Sequence, residues 1–362
     1  MVVLTAAACS FGSEDGTDPE FAEIFAMADT LELEQPPGDT IAQIGATDVA
    51  DDGRLLIADR YLQRVRMYDS NGRLLASQGR FGEGPFEYHS INSVAFSPDG
   101  RVFVNDVRSA RYTILSADLE PDTTRRMELG AALPGTVDAF ADGVVQIVPE
   151  PGETPGGALA AWSLYYRSPD GDRPWRVDAA PERLLQAPYW GSFSRSLIAA
   201  AGDTLFVGNS LLYPIEMFDS EGRSLGTIGT PPPSYREPPE FERGQFAFQD
   251  PAEAVGMQSR LREYGSAFRV LSGMYVVAGR WLIVAHARFP EEKFPYISQY
   301  DEQTYGIDLY DLQSGEKVVE DLPWREGWWI LGGGPHLHAL VSEPPEPWRV
   351  VRLEVLLGSG SP

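Results

Sequence analysis

The sequence predicts an all-β protein folded as a six-bladed β-propeller, and three observations carry this prediction. A similar stretch recurs at intervals of about 47 residues, each copy alternates turn signals with short apolar runs, and 36 glycines and 29 prolines are spread over the 362 residues. Units of this length hold four antiparallel strands. Such units must stack around a channel, because a single unit cannot bury its own faces.

The repeat is clearest in three segments. They begin DGRLLIADRYLQRVRMYDSNGRLLASQG at Asp52, DGRVFVNDVRSARYTILSADLEP at Asp99 and GDTLFVGNSLLYPIEMFDSEGRSLGTIG at Gly202. In each copy, a turn precedes an apolar run of four or five residues, which is too short for a helix and typical of a strand covered on both faces. A more polar strand, a hairpin turn such as Asn71-Gly72 and an outer strand complete the unit.

The last unit has only three evident strands, at Trp328–Leu331, Leu337–Ser342 and Arg349–Val355. Its fourth strand is therefore expected from the N-terminal segment, and Ile41–Gly45 (IAQIG) resembles the endings of the other outer strands. Closing the ring with strands from both termini would remove the exposed sheet edges. Six blades are predicted, with seven as the alternative. The predicted blades span 47–79, 91–129, 135–180, 193–229, 266–322 and 327–357.

Two features resemble the blades of the NHL-repeat family. One is the Gly-rich linker GRFGEGPFEYHSINSVAFSPDG at 79–100, and the other is an Asp that ends the second strand and pairs with an Arg that starts the third. Asp59 with Arg64 and Asp106 with Arg111 match that pattern. The resemblance implies a six-bladed propeller. Lactonase-like propellers of similar fold hold calcium in the channel, but their ligand motifs are not recognisable in this sequence.

The N-terminus reads MVVLTAAACSFGSEDGTD and resembles the end of a bacterial lipoprotein signal peptide, which implies lipidation of Cys9 and a cell-envelope location. No Lys or Arg precedes the apolar run, so we expect the translation start to lie upstream. The alternative is a frayed terminus with an incidental cysteine. Residues 1–30 are predicted as a signal remnant and tether with a short helix around Phe21–Ala28. The propeller domain is predicted at 31–357, and a disordered tail at 358–362.

The chain carries 53 acidic and 29 basic residues, for a net charge of −24. This charge repels phosphate backbones and anionic lipid surfaces, which argues against nucleic acid as a partner. Contact with a membrane is expected only through a lipid anchor at Cys9. The expected partner is a protein, a peptide or a small molecule.

Three irregular segments fall on one rim of the predicted ring, where the blade linkers and the loops between second and third strands open. They are the linker 79–90, the insertion 230–265 with a predicted helix from Asp250 to Gly265, and the excursion 289–305. Insertions that share one face often mark a binding face. We expect the 230–265 insertion to cover part of the channel mouth, with packing on the outer wall as the alternative.

Five residues are predicted to form the ligand-binding rim. Asp59, Asp106, Asn209 and His286 end second strands and are expected to form a partial ring around the channel mouth, and His89 lies in the linker. Converging oxygen ligands of this kind would suit Ca²⁺. The alternative is structural, with the two aspartates bonded to turn amides and to the arginines that follow them.

His336 and His338 sit two apart on a probable strand and face the same way, but a pair without a third ligand is an incomplete metal site. No Gly-x-Ser-x-Gly, P-loop, His-Glu-x-x-His or Cys-x-x-Cys motif is present. The predicted function is therefore a non-catalytic ligand- or protein-binding propeller lipoprotein of the bacterial cell envelope, with no catalytic residues and no cofactor. The alternatives are a calcium-dependent lactonase- or lyase-like hydrolase and a structural scaffold.

Overall fold

A computed structural model of the protein describes residues 19–127, 137–140, 143–151, 159–168, 171–179, 196–237, 267–288, 303–342 and 347–357. These residues form one short helix and six four-stranded antiparallel sheets. The innermost strands of successive sheets contact one another, and a bridge between Val277 and Gly334 joins blades five and six. The prediction of an all-β, six-bladed propeller is confirmed.

The elements follow the chain in order around the ring. The helix is α1 (Pro19–Ile24), and the first strand is β1 (Phe25–Glu32). Blade one contains β2 (Ile44–Val49), β3 (Leu55–Asp59), β4 (Arg64–Tyr68) and β5 (Leu74–Gln78). Blade two contains β6 (Ile91–Phe96), β7 (Val102–Asp106), β8 (Arg111–Leu115) and β9 (Pro121–Arg126). Blade three contains β10 (Val137–Phe140), β11 (Gly143–Pro151), β12 (Leu159–Ser168) and β13 (Gly171–Ala179).

The second half of the ring repeats the same order. Blade four contains β14 (Ser196–Ala201), β15 (Thr204–Asn209), β16 (Leu212–Phe218) and β17 (Ser224–Ile228). Blade five contains β18 (Val270–Val277), β19 (Trp281–Arg288), β20 (Gln303–Asp311) and β21 (Glu316–Pro323). Blade six contains β22 (Trp329–Gly332), β23 (Leu337–Ser342) and β24 (Arg349–Val355), with β1 as its outermost strand.

The core lies between the blades. Every residue of β3 is buried, because neighbouring blades cover both faces of this second strand, whereas the outer strand β5 has alternately exposed and half-buried side chains. Ile57 belongs to a buried cluster that includes Leu340 of blade six, and Val65 belongs to one that includes Val94 of blade two. The continuous apolar runs of the sequence are therefore strands that contribute to two interfaces at once.

The ring is closed by an N-terminal strand, but the predicted strand is wrong. β1 pairs antiparallel with β24, with Phe25 opposite Val355 and Glu32 opposite Arg349. Ile44 instead begins the innermost strand of blade one, where it pairs with Asp59. The chain between β1 and β2 crosses from the outside of blade six to the channel side of blade one, so the IAQIG segment cannot also form the outer edge.

The N-terminal helix is shorter than expected and belongs to the propeller. It ends at Ile24, and the chain continues directly into β1, so the domain boundary predicted at residue 30 falls inside a strand. Phe21 and Phe25 are buried against Trp324, with ring centroids 5.7 and 6.3 Å away. This aromatic contact fixes the start of β1 against blade five.

Several predicted features lie outside the described residues. They are Cys9 with residues 1–18, the 250–265 helix with most of its insertion, residues 289–302 of the excursion, and the tail 358–362. In the ranges that the structure describes, no helix is long and apolar enough to cross a membrane.

Candidate functional site

Two cavities lie at opposite ends of the strands. The larger, of about 760 Å³, is the central channel, which the innermost strands line and which reaches the turns at 50–54 and 97–100. The smaller, of about 500 Å³, lies on the other rim, where the linker 79–90 meets the turn between β7 and β8. The second cavity is on the rim where the sequence predicts ligand binding.

The channel wall includes two carboxylates on the innermost strands of alternate blades, Asp48 on β2 and Asp138 on β10. Asp48 accepts hydrogen bonds from the amides of Val49 (2.9 Å) and of Phe96 in blade two (2.7 Å). Burial raises the pKa of Asp48 to about 7. Burial, and then the nearby charge of Asp48, also raise the pKa of Asp138 well above its ordinary value. The bond to Phe96 joins two blades, so Asp48 contributes directly to the packing of the ring.

Asp59 is fully buried and accepts hydrogen bonds from three backbone amides. The amides of Ala42, Tyr61 and Leu62 lie 2.7 to 2.9 Å from its carboxylate oxygens. Its guanidinium partner is Arg66 at 3.3 Å. All of these contacts fix the turn after β3 and the segment that leads into β2.

The predicted pairing of Asp59 with Arg64 is wrong, although the two residues lie opposite each other across β3 and β4. The Arg64 side chain instead contacts Asp39 at 2.6 Å, and Arg66 contacts the same carboxylate at 2.5 Å. Burial would raise the pKa of Asp39, but hydrogen bonds from Arg66 and Arg64 hold it below its ordinary value. Asp39 lies in the segment between β1 and β2, which passes over this rim and brings the carboxylate close to Arg64.

Asp106 has the same role in blade two. Its carboxylate accepts hydrogen bonds from the amides of His89, Ser90 and Ser109 at 3.0 to 3.2 Å, and Arg111 Nε lies 3.7 Å away. One buried side chain thus joins the end of the linker to the turn between β7 and β8. Both of these segments border the smaller cavity.

The other two predicted rim residues lie in blades four and five. Asn209 accepts a hydrogen bond from the Leu211 amide at 2.9 Å. His286 is fully buried, with its Nε2 3.5 Å from Asp308 and its ring 6.3 Å from that of Tyr213. Burial would raise the pKa of Asp308, but His286 and the other groups around it hold that pKa below its ordinary value.

The predicted partial ring does not line the channel. Asp59, Asp106, Asn209 and His286 border neither of the two cavities, whereas His89 borders the smaller one. The innermost strands separate Asp59, Asp106 and Asn209 from the channel, and the side chains of these three residues accept hydrogen bonds from amides at the rim. His286 does not end its strand, because β19 continues to Arg288, and its ring lies beside Asp308 on β20.

One histidine of the blade-six pair is bonded to the backbone. His338 is buried, and its Nδ1 lies 3.0 Å from the carbonyl of His336 and 3.2 Å from that of Gly333. Burial lowers the pKa of His338 to about 4. Across the described part of the chain, no three His, Cys, Asp or Glu side chains are grouped closely enough to hold a metal ion.

The smaller cavity has a firmly held linker as one wall. Tyr88 donates its amide proton to the Arg80 carbonyl at 2.8 Å, and the Gly82 amide returns a bond to the Tyr88 carbonyl at 3.2 Å. The Glu87 carboxylate accepts a bond from the Gly84 amide at 2.8 Å, which together with Arg80 lowers the pKa of Glu87. The residues that border the cavity are Phe81, Glu83, His89, Arg108, Ser109, Arg111 and Arg126.

No protein-family profile matches the sequence, and no curated protein is significantly similar to it. Solved structures share the fold. A member of the DUF4221 family from Bacteroides vulgatus has a TM-score of 0.61 at 9% identity, over 92% of this chain and 99% of that one. A Bacteroides fragilis protein inferred to be exported has a TM-score of 0.56 at 11% identity, over 92% and 95%. Virginiamycin B lyase from Staphylococcus aureus has a TM-score of 0.48 at 11% identity, over 92% and 100%.

Sequence reasoning identified the linker and His89 but missed the residues that give the smaller cavity its character. Phe81 has 64% of its surface exposed, and its ring lies 5.0 Å from that of His89 in an edge contact. Arg126 lies opposite Arg111 across β8 and β9. The hairpin register of blade two could have placed this second arginine on the rim. β8 starts at Arg111, and the antiparallel β9 runs back to the same end of the sheet, where it ends at Arg126.

Proposed function

We propose that the protein is an exported, non-catalytic binding propeller of the bacterial cell envelope that takes a small ligand in the rim pocket, meaning the cavity bordered by Phe81, Glu83, His89, Arg108, Ser109, Arg111 and Arg126. One observation carries the proposal. An exposed aromatic ring, Phe81, borders a cavity of about 500 Å³ together with hydrogen-bonding side chains. Small-molecule sites commonly have volumes of about 300–1,000 Å³ and a few convergent polar groups.

The walls of the rim pocket support this proposal because they are held in place before any ligand arrives. Asp106 binds amides from both the linker and the turn after β7, so the two walls share one buried anchor. Arg111 donates hydrogen bonds to the Glu83 and Glu87 carbonyls of the linker. A preorganised site loses little conformational entropy on binding, which favours affinity.

The envelope location is proposed from the N-terminal sequence around Cys9, and the Bacteroides fragilis protein that is inferred to be exported has the same fold. The test is expression of the protein from its full coding sequence in a bacterial host. We expect wild type in the membrane fraction, with a lipid mass on Cys9, and the Cys9→Ala variant without either property. Recovery of unlipidated wild type would contradict the lipid anchor.

The binding role is tested with four probes that share one ring: phenol, benzoate, phenyl phosphate and phenyltrimethylammonium. We expect saturation-transfer NMR to detect binding of at least one probe to the wild type. Phe81→Ala should reduce that signal severalfold, because the ring supplies the apolar contact. Leu75→Ala is the control, since Leu75 is also exposed but lies on the outer strand of blade one. Binding of no probe, or equal signals in both variants, would contradict the proposal.

A further inference from the structure

The rim pocket concentrates positive charge on a strongly acidic protein. The chain has a net charge of −24, yet three arginines and one acidic residue border this cavity. A local excess of cationic groups attracts anions, even where the whole protein repels them, because salt screens the more distant charges beyond about 8–10 Å. The sign of the local charge therefore differs from the sign of the overall charge.

One of the three arginines already donates hydrogen bonds to other residues of the protein. Arg111 donates hydrogen bonds to the carbonyls of Glu83 and Glu87, and its Nε lies 3.7 Å from the buried carboxylate of Asp106. Its side chain is only 14% exposed. Arg111 therefore builds the wall of the pocket, and the balancing charge of Asp106 lies behind it.

The other two arginines, Arg108 and Arg126, have exposed side chains. Within the described ranges, neither Arg108 nor Arg126 forms an ion pair. Other exposed arginines of this acidic chain have nearby carboxylate partners, such as Arg80 with Glu87 and Arg223 with Asp219. Arg108 and Arg126 thus border the same cavity without an ion-pair partner among the described residues.

Two further hydrogen-bonding side chains lie beside these arginines. The Ser109 hydroxyl lies 3.2 Å from His89 Nδ1, and both residues border the pocket. The turn that carries Arg108 and Ser109 is held by a bond from the Ala110 amide to the Val107 carbonyl at 3.2 Å. Guanidinium groups bind carboxylate and phosphate oxygens in a fork geometry, and hydroxyls add single hydrogen bonds.

We infer that the rim pocket binds an oxyanion attached to a flat apolar group, with Arg108, Arg126 and Ser109 on the anion and Phe81 against the apolar part. This inference rests on the proposed function and names the chemical class of its ligand. The shared chemistry is a carboxylate or a phosphate monoester. Neutral and cationic ligands of the same shape lack the charge-assisted hydrogen bonds and bind more weakly.

The test is isothermal titration of the purified protein with phenyl phosphate, benzoate, phenol, phenyltrimethylammonium and inorganic phosphate. We expect at least one of the two ring anions to bind about tenfold or more tightly than phenol, and phenyltrimethylammonium to bind more weakly than phenol. The preferred ring anion distinguishes a phosphate ligand from a carboxylate ligand. Inorganic phosphate should bind more weakly than phenyl phosphate if the phosphate is the preferred anion, because it has no contact with Phe81.

Two variants assign the anion to the arginines. Arg108→Gln and Arg126→Gln should each weaken binding of the preferred ring anion about tenfold while leaving phenol binding unchanged. Arg73→Gln is the matched control, because it removes the same charge from an exposed position in the outer hairpin of blade one. Circular dichroism of each variant establishes that it is folded. Higher salt should weaken binding of the ring anion and leave phenol binding unchanged.

The results distinguish failure of the anion inference from failure of the proposed binding function. If phenol binds in a manner that depends on Phe81 and the anions bind no more tightly, the anion inference is wrong and the binding function stands. If the anions bind equally well to wild type and to the Arg108→Gln/Arg126→Gln double variant, the assignment to this pocket is wrong. If none of the five compounds binds, both the anion inference and the proposed function are wrong.

Discussion

Arg111 and Arg126 lie opposite each other across β8 and β9, but their guanidinium groups have different surroundings. Arg111 is bonded to the carbonyls of the 79–90 linker, whereas the Arg126 side chain is exposed. One member of the pair therefore fixes the wall of the rim pocket, and the other is accessible to a ligand. Four predictions test the contacts that hold this rim and the ring beneath it.

Gly79→Ala is expected to disturb the linker. Gly79 has a φ of +101°, and an added Cβ would lie 2.7 Å from the ring of the buried Tyr88 and 2.9 Å from the Gln63 carbonyl. Gly226→Ala is the matched control, because its φ of +111° is similar but nothing lies within 4 Å of the added atom. Chemical denaturation should show a loss about 2 kcal/mol larger for Gly79→Ala. Equal losses would mean that Tyr88 moves aside freely.

Asp59→Asn should destabilise the protein by about 2–4 kcal/mol in urea denaturation, because it removes one of the two carboxylates that balance the buried Arg66 and replaces one acceptor with a donor. Asp52→Asn provides the comparison. Asp52 pairs with Arg54 at 2.8 Å, but its side chain is 57% exposed, so its loss should be below about 1 kcal/mol. A loss for Asp59→Asn no larger than that of the control would show that the network around Arg66 contributes little.

The closing strand is tested by two substitutions within β1. Leu31 is 7% exposed and packs in the cluster between blades six and one, whereas Met27 on the same strand is 54% exposed. Leu31→Asp buries an unpaired carboxylate, so we expect a loss of about 3 kcal/mol or more and greater aggregation through the loosened edge of β24. Met27→Asp should change stability by less than about 1 kcal/mol. Similar behaviour of the two variants would argue against pairing of β1 with β24.

Asp48 predicts a specific pH dependence of stability. Its pKa is raised from 3.8 to about 7, so the folded protein holds this proton more tightly than the unfolded chain. The contribution of protonated Asp48 to the free energy of unfolding is fully present below about pH 4 and is lost as the pH rises through about 7. Denaturation between pH 4 and pH 8 should therefore show a downward slope with pH that is smaller in Asp48→Asn. The control is Asp118→Asn, at an exposed position in the turn between β8 and β9, which should keep the wild-type slope.

The blades could be read from the sequence because their signals are local. Turn residues such as Gly53 and Gly100, followed by short apolar runs, define strands whose bounds agree with the structure to within a few residues. Asp106 was correctly associated with Arg111 and with turn amides for the same reason, since these partners lie close together along the chain. Asn209 and His286 were placed at the ends of second strands, but the sequence carries no signal for which face of the sheet their side chains occupy.

The sequence alone predicts the repeat, six blades as the favoured number and the closure of the ring by an N-terminal strand. The folded ring is needed to show that β1 rather than Ile41–Gly45 closes blade six, that Arg66 rather than Arg64 contacts Asp59, and that Arg126 joins the rim pocket. Strand and turn propensities act over a few residues, so they can be read in sequence order. The partner of an edge strand or of a buried charge is selected by burial and electrostatics among segments that meet only when the ring is complete.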